Sequence, residues 1–260
     1  MPSTPVTFPG SRGATLAARL DTAGEAPIAC AIIAHCFTCS KESKAAAFIA
    51  RALAQHGFGV LRFDFTGLGA SEGDFADTDF SSNVADVQAA AGWLRASYGV
   101  PALLIGHSLG GAAVLAAAGD IKDCKAIVTI GAPFNPAHVA QHFHEALARI
   151  AEEGRATVSL AGRPFTITQA FVDDLEAQEP AARIRALGRP LLVMHAPDDR
   201  VVNVREAKAI FEAAQHPRSF VSLDGADHLL TRESDAQFAA DVIAGWATRY
   251  VGGDALAPAE

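Results

Sequence analysis

"LLIGHSLGGAAVLAAAG", residues 103–119, is the stretch whose reading decides the fold. It opens with apolar strand formers, turns through Gly106, His107, Ser108, Leu109, Gly110 and Gly111, and runs on as an alanine-rich segment of helical character. A strand, a tight glycine-flanked turn and a helix make one unit of a parallel sheet. The serine at the join matches a G-x-S-x-G elbow, in which small flanking residues let the backbone fold tightly around an exposed hydroxyl. The helix that follows points its positive end at that hydroxyl and favours negative charge developing nearby. A glycine-rich turn with no chemistry would look the same over five residues. The two readings part on whether the chain supplies a base and an acid in suitable places.

Outward from this segment the same alternation recurs. "IACAIIAHCF" (28–37), "FGVLRFDFTG" (58–67), "KAIVTIGAP" (125–133), "RPLLVMHAPDD" (189–199) and "RSFVSLDGADH" (218–228) read as strands. Continuous apolar runs of this kind belong to sheets covered on both faces. Between them "SKAAAFIARALAQHG" (43–57), "FSSNVADVQAAAGWLRASYG" (80–99), "VREAKAIFEAAQH" (204–216) and "DAQFAADVIAGWATRY" (235–250) read as helices. "ATLAARLD" (14–21), after "PGSRG", predicts an antiparallel hairpin at the start. The pattern is α/β, a doubly wound and mostly parallel sheet. From Pro136 to Pro190 the rhythm breaks, with a predicted amphipathic helix over 138–154, a hairpin over 156–168 and a second helix over 169–187. Residues 137–185 are therefore expected to form a helical cap inserted into a core of residues 1–136 and 186–260. Its place is over the carboxyl edge of the sheet, where ligands bind in such folds.

With 260 residues, half of them apolar and 19% charged, the chain suits one large α/β domain with a sizeable core. It contains no apolar run long enough to span a membrane. The start, "MPSTPVTFPGSRG", lacks the apolar stretch of a secretory signal. A net charge of −8 disfavours nucleic acid and anionic membrane as partners. The four cysteines, Cys30, Cys36, Cys39 and Cys124, are too few and too irregular for a disulfide framework, so a cytoplasmic, reducing compartment is expected. Oligomeric state leaves no mark in the sequence.

Serine is a weak nucleophile until a base takes its proton. In the order typical of α/β-hydrolases the acid follows the serine and the histidine comes last, each on a loop after a strand. Asp198 and Asp199 follow "PLLVMH", and His228, the last of nine histidines, follows "SFVSLDGAD". Both loops leave the edge that carries Ser108. Asp224 and Asp227 lie too near His228 in sequence to reach its far nitrogen easily. The amide of Leu109, next after the nucleophile, supplies one donor to a developing oxyanion. This chemistry requires no metal and no organic cofactor.

"HAPDDRVV" (195–202) resembles the H-G-x-x-D-x-V-V segment of the α/β-hydrolase superfamily, with Ala196 in place of the glycine. The resemblance implies Asp199 as the acid and Asp198 as a turn residue. Where the superfamily reads H-G-x after its third strand, this chain reads His35-Cys36-Phe37, which implies the Phe37 amide as the second oxyanion donor. "DFTGLGASEG" (64–73) resembles the superfamily's D-x-x-G-x-G-x-S turn and reads as structural. Glu72 and Asp74 argue against an anion held by Gly67 and Gly69. With no aspartate at position 108, the dehalogenase and epoxide hydrolase chemistries of this fold are not expected.

"AHCFTCSKESKAAAFIARAL" together with "LRFDFTGLGASEGDFADTDFSSNVADVQAA" is similar to a narrower bacterial group. Its hydrolase domains are often fused ahead of an OsmC-type domain, a family linked to organic hydroperoxide reduction. The resemblance implies an OsmC-type domain as a fused or associated partner. This sequence ends in "TRYVGGDALAPAE", so either it is the hydrolase part of a longer protein or a stand-alone relative.

The expected function is a carboxylesterase-like serine hydrolase of short to medium acyl esters, with Ser108, His228 and Asp199 as its triad. Phe143, Leu147 and Phe171 are expected to wall the acyl site. Thioesterase, peptidase or perhydrolase chemistry on the same triad stays open, as does a non-catalytic or redox-partner role. Cys36-x-x-Cys39 reads first as part of the oxyanion loop, then as a regulatory thiol pair, and last as a metal site. His138 and His142 share a helical face from which His144 points away, and all three read as a solvated face rather than metal ligands.

Overall fold

The apolar runs assemble into one eight-stranded sheet in a computed structural model that describes residues 2–24 and 26–251. In chain order, β1 (Ser3–Pro9), β2 (Thr15–Asp21) and β3 (Ala29–Ala34) precede α1 (Lys44–Gln55), β4 (Phe58–Phe63), α2 (Phe80–Ser97), β5 (Pro101–His107), α3 (Leu109–Ala117) and β6 (Ala126–Ile130). An insertion follows, made of 3₁₀ turns (Pro136–Ala146), α4 (Leu147–Glu153), β7 (Arg155–Leu160), β8 (Arg163–Thr168), α5 (Gln169–Glu176) and α6 (Pro180–Arg185). The core resumes with β9 (Leu191–His195), α7 (Val204–Ala213), β10 (Arg218–Ser222) and α8 (Glu233–Val251). The sheet order is β1-β2-β4-β3-β5-β6-β9-β10. The initial hairpin adds antiparallel to β4, and every other pairing is parallel.

Strands β4, β5, β6 and β9 are buried along their whole lengths, which is why they carry no polar alternation. One face packs under α2 and α3, with Val87, Leu94, Val114 and Leu115 against Ile32, Leu61 and Leu104. On the other face α1 and α8 pack against each other, and their buried faces are largely alanine, Ala46 and Ala50 among them on one, Ala239 and Ala244 on the other. Small side chains let the two helices approach closely. Each buried leucine, isoleucine or valine contributes about 1.5–3 kcal/mol, so the sheet core dominates the stability. Because the central strands are parallel, the loops after β3, β5, β6, β9 and β10 all leave one edge. No helix among the described residues is long and apolar enough to cross a membrane.

Two helices expected in the insertion are each broken. The one expected over 138–154 is 3₁₀ turns up to Ala146 and α-helix only from Leu147. Phe143 leaves helical geometry at φ −137° and ψ 26°, and both Phe143 and Ile150 are buried across the kink. The helix expected over 169–187 splits because Pro180 has no amide to donate and its ring clashes with the preceding turn, so α6 starts anew there. β7 and β8 pair as the expected hairpin. Residues 252–260, the end of the sequence, lie outside the described part.

Candidate active site

Ser108 stands between β5 and α3 at φ 54° and ψ −126°, in a region that costs an L-residue about 1–3 kcal/mol. Two glycines give the backbone room for this turn. A Cβ at Gly106 would overlap the backbone of Gly110 and Gly111, and one at Gly110 would overlap the carbonyls of Ala34 and His35. The bonds from the Ser108 amide to the Ile130 carbonyl (2.9 Å) and from the Gly111 amide to the Ser108 carbonyl (2.8 Å) then lock the turn. A serine at a helix N-cap ordinarily spends its hydroxyl on the first turn. Here it makes no capping bond, and Oγ lies 3.1 Å from His228 Nε2.

His228 enters from the loop after β10, and its Nδ1 lies 2.7 Å from Asp199 Oδ2. The other oxygen of Asp199 accepts from the amides of Val201 (2.8 Å) and Val202 (2.9 Å), which fixes the carboxylate's plane. Burial pushes the Asp199 pKa up, but the bond from His228 and these two amides outweigh it and hold the group below the usual carboxylate value. Asp198 is exposed, so of the two adjacent acids it is Asp199 that meets the imidazole. Hydroxyl, imidazole and carboxylate thus form one line through which a proton can be taken from Ser108 and later returned.

Leu109 and Phe37 line the same small cavity, together with His35, Cys36 and Gly110. The Phe37 ring rests against Phe75 (5.8 Å between centroids) and against Phe171 of the insertion (5.9 Å). Phe171 and Phe143 are both buried, whereas Leu147 is half-buried. Phe143 lies under a surface groove with His142, Arg149 and Thr157. Asp64, from the glycine-rich turn after β4, accepts from the Lys41 amide and Nζ, each at 2.6 Å, and so ties down the far end of the Phe37 loop.

The cysteines depart from expectation, for Cys36 and Cys39 form a disulfide with their Cα atoms 5.3 Å apart. A four-residue turn in which the Cys39 amide bonds the Cys36 carbonyl (3.1 Å) brings the two side chains together. His138 bonds the Val201 carbonyl through Nε2 (3.0 Å), and His144 bonds the Gln141 carbonyl through Nδ1 (2.9 Å).

Three buried histidines that the sequence did not single out each donate to a backbone carbonyl in a loop of the site. His35 Nδ1 reaches Cys36 (2.8 Å), His107 Nε2 reaches His228 (2.7 Å) and His195 Nε2 reaches Val202 (2.8 Å). Burial lowers all three pKa values, that of His107 to about 4, so they remain neutral donors. The unfolded chain takes up these protons below about pH 6.5. Unfolding therefore binds protons, and stability falls as pH drops from about 6.5 towards 4. His107 alone should account for about 2 kcal/mol of the loss between pH 7 and pH 5. Urea unfolding at the two pH values checks this. His107→Gln should shrink the difference by that amount, and an unchanged difference would remove His107 from the account.

The family described as serine aminopeptidase, S33 matches residues 26–179, a span that includes Phe37 and Ser108 and stops before Asp199 and His228. The crystal structure of the esterase domain from a Rhodothermus marinus protein is similar over 97% of this chain and 100% of that one, at 49% identity and a TM-score of 0.79. Est1E from Butyrivibrio proteoclasticus, solved with ferulic acid bound, shares the fold at 19% identity over 95% of this chain and 99% of that one, with a TM-score of 0.77. Protein ABHD12B of Homo sapiens is 28% identical over 172 residues, 65% of this chain, and the match spans 45% of that protein's length.

Proposed function

The chain belongs to the Hydrolase_4 family, described as serine aminopeptidase, S33, and on that premise we propose that it is a carboxylesterase-like serine hydrolase of short to medium acyl esters. The observation that carries the reading is the unbroken line from Ser108 Oγ to His228 Nε2 (3.1 Å) and from His228 Nδ1 to Asp199 (2.7 Å). Ser108 attacks the ester carbonyl while His228 takes its proton, and the Leu109 and Phe37 amides hold the oxyanion. His228 then protonates the departing alcohol, leaving an acyl group on Ser108. Water activated by the same imidazole releases the acid. Asp199 keeps the imidazole in the tautomer with Nδ1–H and stabilises its charged form.

The family's description names peptide chemistry, and the same triad would serve it. The ester reading is preferred because the relative at 49% identity is described as an esterase domain. That relative is also described as a domain, which suits the sequence resemblance to hydrolase units accompanied by an OsmC-type domain. A panel of p-nitrophenyl esters of increasing acyl length beside aminoacyl p-nitroanilides decides between ester and peptide. We expect kcat/KM for acetate to hexanoate esters to exceed that for any anilide by at least about 100-fold. Faster anilide turnover would transfer the assignment to peptides.

The insertion is read as the acyl wall, with Phe143, Leu147 and Phe171 as its candidates. Each methylene buried there is worth about 0.8 kcal/mol until the site is full, so preference should fall off gradually with chain length. Phe143→Ala and Phe171→Ala should move the optimum towards longer or bulkier acyl groups. Both side chains are buried, so each truncation also costs about 3–5 kcal/mol of stability. An unchanged chain-length profile in both folded variants would remove the insertion from the acyl site.

A further inference from the structure

Phe37 lies between two cysteines that are bonded to each other, and its loop holds an improbable shape. Thr38, β-branched, sits at φ 59°, in the left-handed region that such residues avoid. Noncovalent contacts support the loop: the His35 bond to the Cys36 carbonyl, a bond from Arg163 of the insertion to the Thr38 carbonyl, and the Phe37 ring against Phe75 and Phe171. The disulfide is the one covalent closure across Cys36–Cys39. We propose that this disulfide is a redox-controlled positioning element, which holds the Phe37 amide towards the oxyanion when closed and slows acyl transfer when opened. The inference rests on the serine hydrolase reading of the same site.

The step that opens it is thiol–disulfide exchange with a low-molecular-weight thiol or dithiol. The reductant's thiolate attacks Cys39 Sγ, on the half-buried member of the pair, and the S–S bond breaks. Cys36 leaves as a thiolate and takes a proton. A second reductant thiol resolves the mixed disulfide, so two protein thiols form and one reductant disulfide is released. The other cysteines, Cys30 and Cys124, are buried, and burial pushes both thiols up to about 11, so they stay inert and the response is confined to the pair.

The test uses the full chain, first oxidised and then reduced with a dithiol, with the two additional thiols counted by alkylation. Losing an oxyanion donor outright costs on the order of 10²–10³ in kcat. Loosening one should lower kcat on p-nitrophenyl butyrate by about tenfold or more, leave KM within about twofold, and slow Ser108 labelling by a fluorophosphonate in parallel. Reoxidation should restore both. Cys36→Ser/Cys39→Ser should show the low kcat and ignore the reductant, while Cys30→Ala/Cys124→Ala should keep the full response. If the reduced wild-type chain turned over and labelled at the oxidised rate, or if the double serine variant still responded, the redox inference would fall and the hydrolase reading would stand. If neither state labelled or turned over ester, the hydrolase reading itself would fall and take the inference with it.

Discussion

Ser108→Ala is expected to lower ester turnover by about 10⁴-fold or more while leaving the fold in place. The size follows from what the hydroxyl does. In the proposed reaction it is the atom that bonds the acyl group, and it stands 3.1 Å from His228 Nε2. The fold survives because the hydroxyl caps nothing in α3 and, among the described residues, its partner is the imidazole alone, so its loss costs no more than about 1 kcal/mol. Alanine carries the same Cβ that serine already holds at φ 54°, and Gly106 and Gly110 still leave room for the turn. Turnover of p-nitrophenyl butyrate, fluorophosphonate labelling and a melting curve, taken on one preparation, check the claim. A variant that kept more than about a tenth of the wild-type rate would show that Ser108 is not the nucleophile.

The elements of this site differ in how plainly the sequence announces them, and the reason is physical. Ser108 and Asp199 each follow a strand that is buried along its length, and His228 follows the more polar edge strand β10, so strand and loop can be read together, and parallel pairing then sends the loops to one edge. The supports behind them are of another kind. His107 bonds a carbonyl 121 residues away, and a backbone carbonyl carries no residue identity to search for. The alternation that located the strands is blind to such a bond. Nor does amphipathic spacing register that Phe143 would leave the helix. The stripe of Val139, Phe143, Leu147 and Ile150 is continuous in sequence, and Phe143 and Ile150 would share one face of a regular helix too, so the break at Phe143 leaves no mark in the spacing. The C-x-x-C spacing left the Cys36–Cys39 bond as one of several readings for a related reason. A disulfide framework leaves a pattern of many spaced cysteines, whereas a single bond across a four-residue turn depends on the turn's own geometry.

Asp199→Asn should be nearly as damaging as loss of the serine, on the order of 10⁴-fold in kcat, and Asp198→Asn should change turnover by less than about threefold. The two residues are neighbours, yet their surroundings are opposite. Asp199 is buried, takes two amides on one oxygen and faces His228 Nδ1 at 2.7 Å with the other. Asparagine can keep the amide bonds through its carbonyl. It then presents an NH₂ to the imidazole, so Nδ1 must accept instead of donate. That flips the tautomer, puts the ring proton on Nε2, and leaves no lone pair there to take the Ser108 proton. The charge that would stabilise the imidazolium is lost as well. Asp198, exposed on the same turn, has neither role. Side-by-side kcat measurements on one ester settle the ranking, with KM expected to stay within about threefold because the carboxylate does not touch the acyl group. If Asp198→Asn were the crippled variant and Asp199→Asn the mild one, the acid would be Asp198. The loop would then have to turn over in solution, exchanging the two amide bonds that now fix Asp199 for solvent.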